Sequence, residues 1–95
     1  MKVAWTDEAK AHLIGIYEYI KRDAPFYATE TVDRLTQRVD QLIDHPRSGR
    51  MVPKFDDENL RELISHPYRL IYRIKPERID IIAVFHGAQK LPDPL

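Results

Sequence analysis

Three neighbouring stretches decide the fold: Leu60-Arg-Glu-Leu-Ile-Ser65, Tyr68-Arg-Leu-Ile-Tyr-Arg-Ile74 and Arg78-Ile-Asp-Ile-Ile-Ala-Val-Phe-His86. Each is rich in branched and aromatic residues, and only His66-Pro67 and Lys75-Pro-Glu77 separate them. Such short breaks suit hairpins, so the three stretches read as an antiparallel meander. In the first two, arginines interrupt the apolar residues. In the third, Ile79, Ile81, Ile82, Ala83, Val84 and Phe85 show little alternation, which predicts an interior strand covered on both sides along part of its length.

Upstream of the meander the period changes from two to about four. Lys2-Val-Ala-Trp5 reads as a short first strand. Thr6 can cap a backbone N–H at a helix start, and Asp7 and Glu8 sit at the positive end of the helix dipole. Ala9, Leu13, Ile16 and Ile20, with Tyr17 beside them, form one apolar stripe. Asp23-Ala-Pro25 ends that helix, and Pro25 suits the first position of the next, where its missing N–H costs nothing. Ala28, Val32, Leu35, Val39 and Leu42 then mark a seam that predicts a second helix running to His45-Pro46. Residues 6–45 are expected to form a long antiparallel helical hairpin laid on the sheet, an α+β fold. Met51-Val52 begins a short strand that Pro53 confines to an edge. Leu91-Pro-Asp-Pro-Leu95 is expected to be a loose tail, from about residue 90 onward.

The chain has 95 residues, enough for one domain with a single modest core. It contains no cysteine, so disulfides and thiolate metal sites are unavailable, which fits a cytoplasmic protein. No apolar run approaches the roughly 20 residues that span a bilayer, and the N-terminus lacks a signal-peptide pattern, so no membrane partner is expected. Fifteen basic and fifteen acidic residues cancel. Six basic face eight acidic residues through His45, and nine face seven beyond it. That asymmetry is too small for binding nucleic acid by bulk charge, though a local cationic cluster is compatible with it.

Trp5-Thr-Asp-Glu-Ala9, His45-Pro-Arg-Ser-Gly-Arg50, Arg61-Glu-Leu63, Tyr68-Arg-Leu-Ile-Tyr-Arg73 and Val84-Phe-His-Gly-Ala88 occur in this order around the strand, helix, helix and strands. Together they resemble the RelE/ParE superfamily of bacterial type II toxin–antitoxin toxins over nearly the whole chain. The resemblance implies a toxin neutralised by a cognate antitoxin, whose segment wraps it as a strand and an amphipathic helix in a hetero-oligomer. Lys2–Trp5 or Met51-Val52 would supply the sheet edge for that strand, and a groove beside the helices would take the helix.

The superfamily contains two mechanisms, ribosome-dependent cleavage of messenger RNA and inhibition of DNA gyrase. Metal-free cleavage of RNA needs converging basic groups to deprotonate the 2′-OH, stabilise the phosphate and protonate the leaving oxygen. Lys54, Arg61, Arg69, Arg73, His86 and Lys90 are the candidates. Arg69 matches an arginine that contacts the scissile phosphate in ribonuclease members, and His86 matches an active-site histidine in some of them. Arg69, His86 and Arg61 would then be the catalytic set. Leu60 and Glu62, however, stand where the ribonucleases carry lysines, and Gln89 stands where many relatives have arginine. No tyrosine follows to stack on a base.

The reading is therefore a ParE-like gyrase inhibitor of growth, with Arg61, Arg69, Arg73, His86 and Lys90 as its functional or antitoxin-contacting surface. A messenger-RNA endoribonuclease is the alternative, and an attenuated, non-toxic antitoxin-binding relative is a further one. Arg69 and Arg73 also fit the solvent face of an amphipathic strand, and His86 fits a satisfied strand end. His12, His45 and His66 lack ligand spacing, and Asp56-Asp-Glu58 reads as a solvated loop, so neither metal nor cofactor is expected.

Overall fold

The computed structural model describes residues 1–92 and 94–95. The chain runs β1 (Lys2–Trp5), α1 (Asp7–Lys21), α2 (Pro25–Arg38), α3 (Gln41–Asp44), β2 (Arg50–Met51), β3 (Leu60–Ser65), β4 (Tyr68–Ile74) and β5 (Arg78–His86). The five strands form one sheet in the order β1-β5-β4-β3-β2. The β1–β5 pair is parallel and the others are antiparallel. The expected α+β architecture is present: a helical hairpin packed on a mainly antiparallel sheet.

The helix boundaries follow local chemistry. Thr6 Oγ1 accepts from the Ala9 N–H at 3.2 Å, with Asp7 and Glu8 in the first turn. Pro25 opens α2. The second helix does not continue to His45, as its apolar seam predicts. It ends at Arg38, and a separate short helix follows. Backbone bonds from Asp40 to Gln37, Leu42 to Val39 and Ile43 to Asp40 span three residues instead of four, so the chain tightens and changes direction there. Val39, with its branched Cβ, and Asp40, whose side chain competes for backbone groups, are weak helix formers at the break. Val39 and Leu42 nevertheless both reach the core. Their spacing reported burial correctly but not continuity.

Between β4 and β5 the register jumps from Ile71↔Ala83 to Tyr72↔Ile81, leaving Ile82 as an extra residue. Such a bulge turns two consecutive residues to one face. Ile79, Ile81 and Val84 join the helix-side core, while Ala83, with Ile82 against it, joins the cluster on the opposite face. This bulge, together with coverage of both faces, accounts for the lost alternation in the sequence.

Helices cover one face, over Ala9, Leu35, Val39, Leu42, Leu63, Leu70, Tyr72, Ile79, Ile81 and Val84. The other face carries a smaller cluster of Val52, Leu60, Ile71, Ala83 and Leu91. The tail is therefore not loose at its start. Leu91 is 7% exposed, and its carbonyl accepts from Lys54 Nζ at 3.1 Å. Among the described residues no helix shields this face, so the tail's leucine removes apolar surface from water there. Leu95 packs against the same cluster, and Asp93 of that tail lies outside the described residues.

Where β1 ends, side chains take over the edge of β5. Thr6 donates from its backbone N and from Oγ1 to the Ile81 carbonyl, His12 Nδ1 accepts from Val84 N at 3.0 Å, and Gln89 Oε1 accepts from His86 N at 2.8 Å. That part of the edge is already hydrogen-bonded, leaving β1 and β2 as the outer strands. Among the described residues, no helix is long and apolar enough to cross a membrane.

Candidate functional site

On the open face the most polar feature is built around Glu62. In β3, Leu60, Glu62 and Ile64 share parity, so Glu62 points away from the helices, between apolar neighbours. It is 1% exposed. A carboxylate at such a position requires cations, and two arginines supply them. Arg50 donates from Nε and Nη2 to Oε1 at 3.1 and 3.0 Å. Arg69 donates from Nε to the same oxygen at 3.3 Å and from Nη2 to Oε2. The Arg69 side chain is 17% exposed and that of Arg50 is 62% exposed.

The 46–49 turn delivers Arg50 to this position. Tyr72, fully buried on the helix side, donates its hydroxyl to the Pro46 carbonyl at 2.8 Å and accepts from Gly49 N at 2.9 Å. Burial raises the Tyr72 phenol above its ordinary pKa, against the opposing effect of the Gly49 N–H. A Cβ at Gly49 would lie 2.5 Å from the Glu62 carbonyl oxygen and 2.6 Å from the Tyr72 hydroxyl, so only glycine fits without displacement. The close approach pairs Arg50 with Glu62 across β2 and β3.

Arg69 and His86 reach one end of the sheet from opposite faces, His86 with the helix-side parity of Tyr68 and Val84 and Arg69 with the open-face parity of Ile71. With Arg50, Ile64, His66 and Tyr68 they line a groove of about 400 Å³, beside the Gly87-Ala88 turn. His86 is exposed and stands edge-on to Tyr68, with centroids 5.9 Å apart. Its Nδ1 accepts from Ala88 N at 3.1 Å, so the neutral ring carries its proton on Nε2. Burial also raises the Tyr68 phenol above its usual value.

The remaining candidates do not join this groove. Arg61 has the parity of Leu63 and lies on the helix side of the sheet, opposite Arg69. Its guanidinium is held by the Glu58 and Gly49 carbonyls at 2.8 and 3.1 Å. The expected trio of Arg61, Arg69 and His86 is therefore split between two faces, because a strand sends successive side chains to opposite sides. Arg73 shares the Arg69 face but pairs with Asp57 at 3.0 Å. The Asn59 N–H and then Arg73 hold the Asp57 carboxyl below the usual range, against its burial. Lys90 is exposed, and Lys54 is tied to the tail.

Two partners escaped sequence reasoning. Arg50 belongs to a turn motif but not to the candidate set, and Glu62, which stands where the ribonucleases carry a lysine, is the anion that both arginines hold. The legible signal was a glutamate in phase with Leu60 and Ile64, which demands a cation. Among the described residues no group of three or more His, Asp or Glu side chains is placed to hold a metal ion.

A second surface lies on the helical hairpin. Lys10, Leu13, Ile14, Tyr17, Glu18 and Val32 line an apolar groove of about 400 Å³, with Ile14 62% exposed. Tyr19 and Phe26 are also mostly exposed.

A helical hairpin on a five-stranded, mostly antiparallel sheet is the architecture of RelE/ParE-type toxins. A chain from the chromosomal ParDE toxin–antitoxin system of P. aeruginosa superposes with a TM-score of 0.78 at 25% identity, covering 90% of this chain and 95% of that one. A chain of the RelBE2 toxin–antitoxin complex from Mycobacterium tuberculosis has the same fold, with a TM-score of 0.61 at 23% identity over 93% and 92% of the two chains. In sequence, Y4kP of Sinorhizobium fredii, named as a candidate toxin, is 34% identical over 99% of this chain and 96% of its own length. Toxin RelE3 of Caulobacter vibrioides is 28% identical over 86% and 89%. The family described as the ParE toxin of the type II toxin–antitoxin system parDE matches residues 3–91, and this chain belongs to it.

Proposed function

We propose that this toxin arrests growth by inhibiting DNA gyrase and that a cognate antitoxin silences it. The observation that carries the reading is the Arg50–Glu62–Arg69 cluster: the arginine matched to phosphate binding already has its Nε and Nη2 donors on a buried carboxylate. Arg61 is on the face opposite Arg69 with its guanidinium on two backbone carbonyls, and Arg73 is paired with Asp57, so among the described residues these cations do not form a dense free set with Arg69 and His86. A cationic, partly neutralised surface suits contact with a protein better than in-line displacement at a phosphodiester.

The antitoxin reading rests on family membership and on two surfaces. The outer strands β1 and β2 offer unpaired backbone groups for an added strand, and the apolar groove around Ile14 and Tyr17 suits an amphipathic helix. Arg50, the largely exposed first residue of β2, would meet an acidic residue of that segment.

Messenger-RNA cleavage is the second reading, favoured by the shared groove of Arg69 and His86. Supercoiling by purified gyrase, assayed beside messenger-RNA integrity in a translation extract, separates the two. Loss of supercoiling with intact RNA is expected. Intact supercoiling with cut RNA, abolished in His86→Ala, would establish the ribonuclease instead.

A further inference from the structure

Glu62 has a side-chain exposure of 0%, and its two oxygens collect four donor contacts from Arg50 and Arg69. Three of them fall on Oε1. Arg69 uses its Nε and Nη2 donors across both oxygens, the same planar fork with which a guanidinium grips a phosphate. Those donors cannot serve a phosphodiester while the carboxylate stays in place. The carboxylate is closed off from solvent, with Arg50 opposite it in β2 and Ile71 opposite it in β4. An incoming phosphate would therefore meet a fixed negative charge behind the arginines.

We propose that Glu62 is a built-in occupant of an anion site formed by Arg50 and Arg69, and that it closes the adjoining groove to phosphodiesters. The groove is otherwise suited to one. It already holds Arg50, Arg69, His66 and His86, and the ring of Tyr68 borders it. The carboxylate reduces the formal charge of the two arginines from two to one. Glu62→Gln keeps the shape and one acceptor, restores the second charge and leaves an arginine donor without an anionic partner. This inference does not depend on gyrase being the target, because it concerns what the groove excludes.

The test uses the whole chain and two probes, a short single-stranded RNA and inorganic phosphate. Glu62→Gln is expected to bind the RNA at least tenfold more tightly than the native chain by fluorescence anisotropy, with affinity falling as salt rises. Adding Arg69→Gln to that variant should abolish the gain. Phosphate competing with the RNA would identify a single-anion site, and RNA binding untouched by phosphate would identify an extended backbone track. Both outcomes support the proposal. A folded Glu62→Gln chain that binds no better than the native one overturns it, as does a gain that survives Arg69→Gln. If Glu62→Gln does not fold, NMR of the native chain decides. An Arg69 Nε–H signal unmoved by phosphate supports the closed site, and a saturable shift of that signal overturns it.

Discussion

The two faces of the sheet solve the same problem differently. Helices α1 and α2 cover one face and bury a continuous set of aliphatic side chains with Tyr72 among them. The other has a smaller buried cluster of Val52, Leu60, Ile71, Ala83 and the tail's Leu91, and beside it stand a buried glutamate and three arginines. Apolar packing is non-directional and tolerates small rearrangements, whereas a buried ion cluster holds only while every partner is present. The helix-covered face holds the larger apolar core, and the open face holds the buried ion cluster.

Arg69→Ala tests that contrast most severely. Removing one partner of a buried carboxylate costs about 3–5 kcal/mol in general, and Arg50 remaining on Oε1 places the expected loss near the lower end. Its immediate neighbour Leu70, fully buried against the helices, should lose about 2–5 kcal/mol on truncation to alanine. Urea unfolding of both variants gives the comparison. A loss at Leu70 with none at Arg69 would mean that the ion cluster contributes nothing to stability.

Gly49→Ala links the two faces, since the added methyl meets a backbone carbonyl on β3 and the Tyr72 hydroxyl at once. Overpacking of this kind costs about 1–3 kcal/mol. The Tyr72 fluorescence environment and the Arg50–Glu62 contact should change together. An unaltered unfolding midpoint would show that the 46–49 turn can shift freely, and the turn would then not fix Arg50.

The smallest effect belongs to Asp80, which lies opposite Arg73 in the ladder and is 8% exposed. Hydrogen bonding to Arg78, with Lys75 also contributing, holds its carboxyl below the ordinary 3.8 in spite of burial. A group whose folded pKa is depressed stabilises the fold above its unfolded value and loses that contribution as pH falls through the folded one. The stability difference between the native chain and Asp80→Asn should therefore be constant above about pH 5 and shrink progressively below 3.8. A difference independent of pH down to pH 2 would remove the ion pair from the account.

Much of the fold was legible in short stretches. Thr6 and Pro25 announced the helix starts because capping depends on groups within four residues. The tight breaks at His66-Pro67 and Lys75-Pro-Glu77 set the antiparallel meander because so few residues can only reverse the chain. The site was legible only in part. Arg69 and His86 were placed in the same groove, but Arg61 fell on the opposite face, Arg50 entered through a turn, and Glu62 became the centre of the cluster.

By itself the sequence determined the order and type of the elements, the apolar residues that face the core, and membership of the toxin family, since all of these rest on local periodicity and short motifs. Only the tertiary structure decided which cations are free, where α2 stops, and that Leu91 is buried. The pairing of Glu62 with Arg50 and Arg69 depends on strand register and on the close approach at Gly49. Both are fixed only when residues far apart in the chain pack against one another.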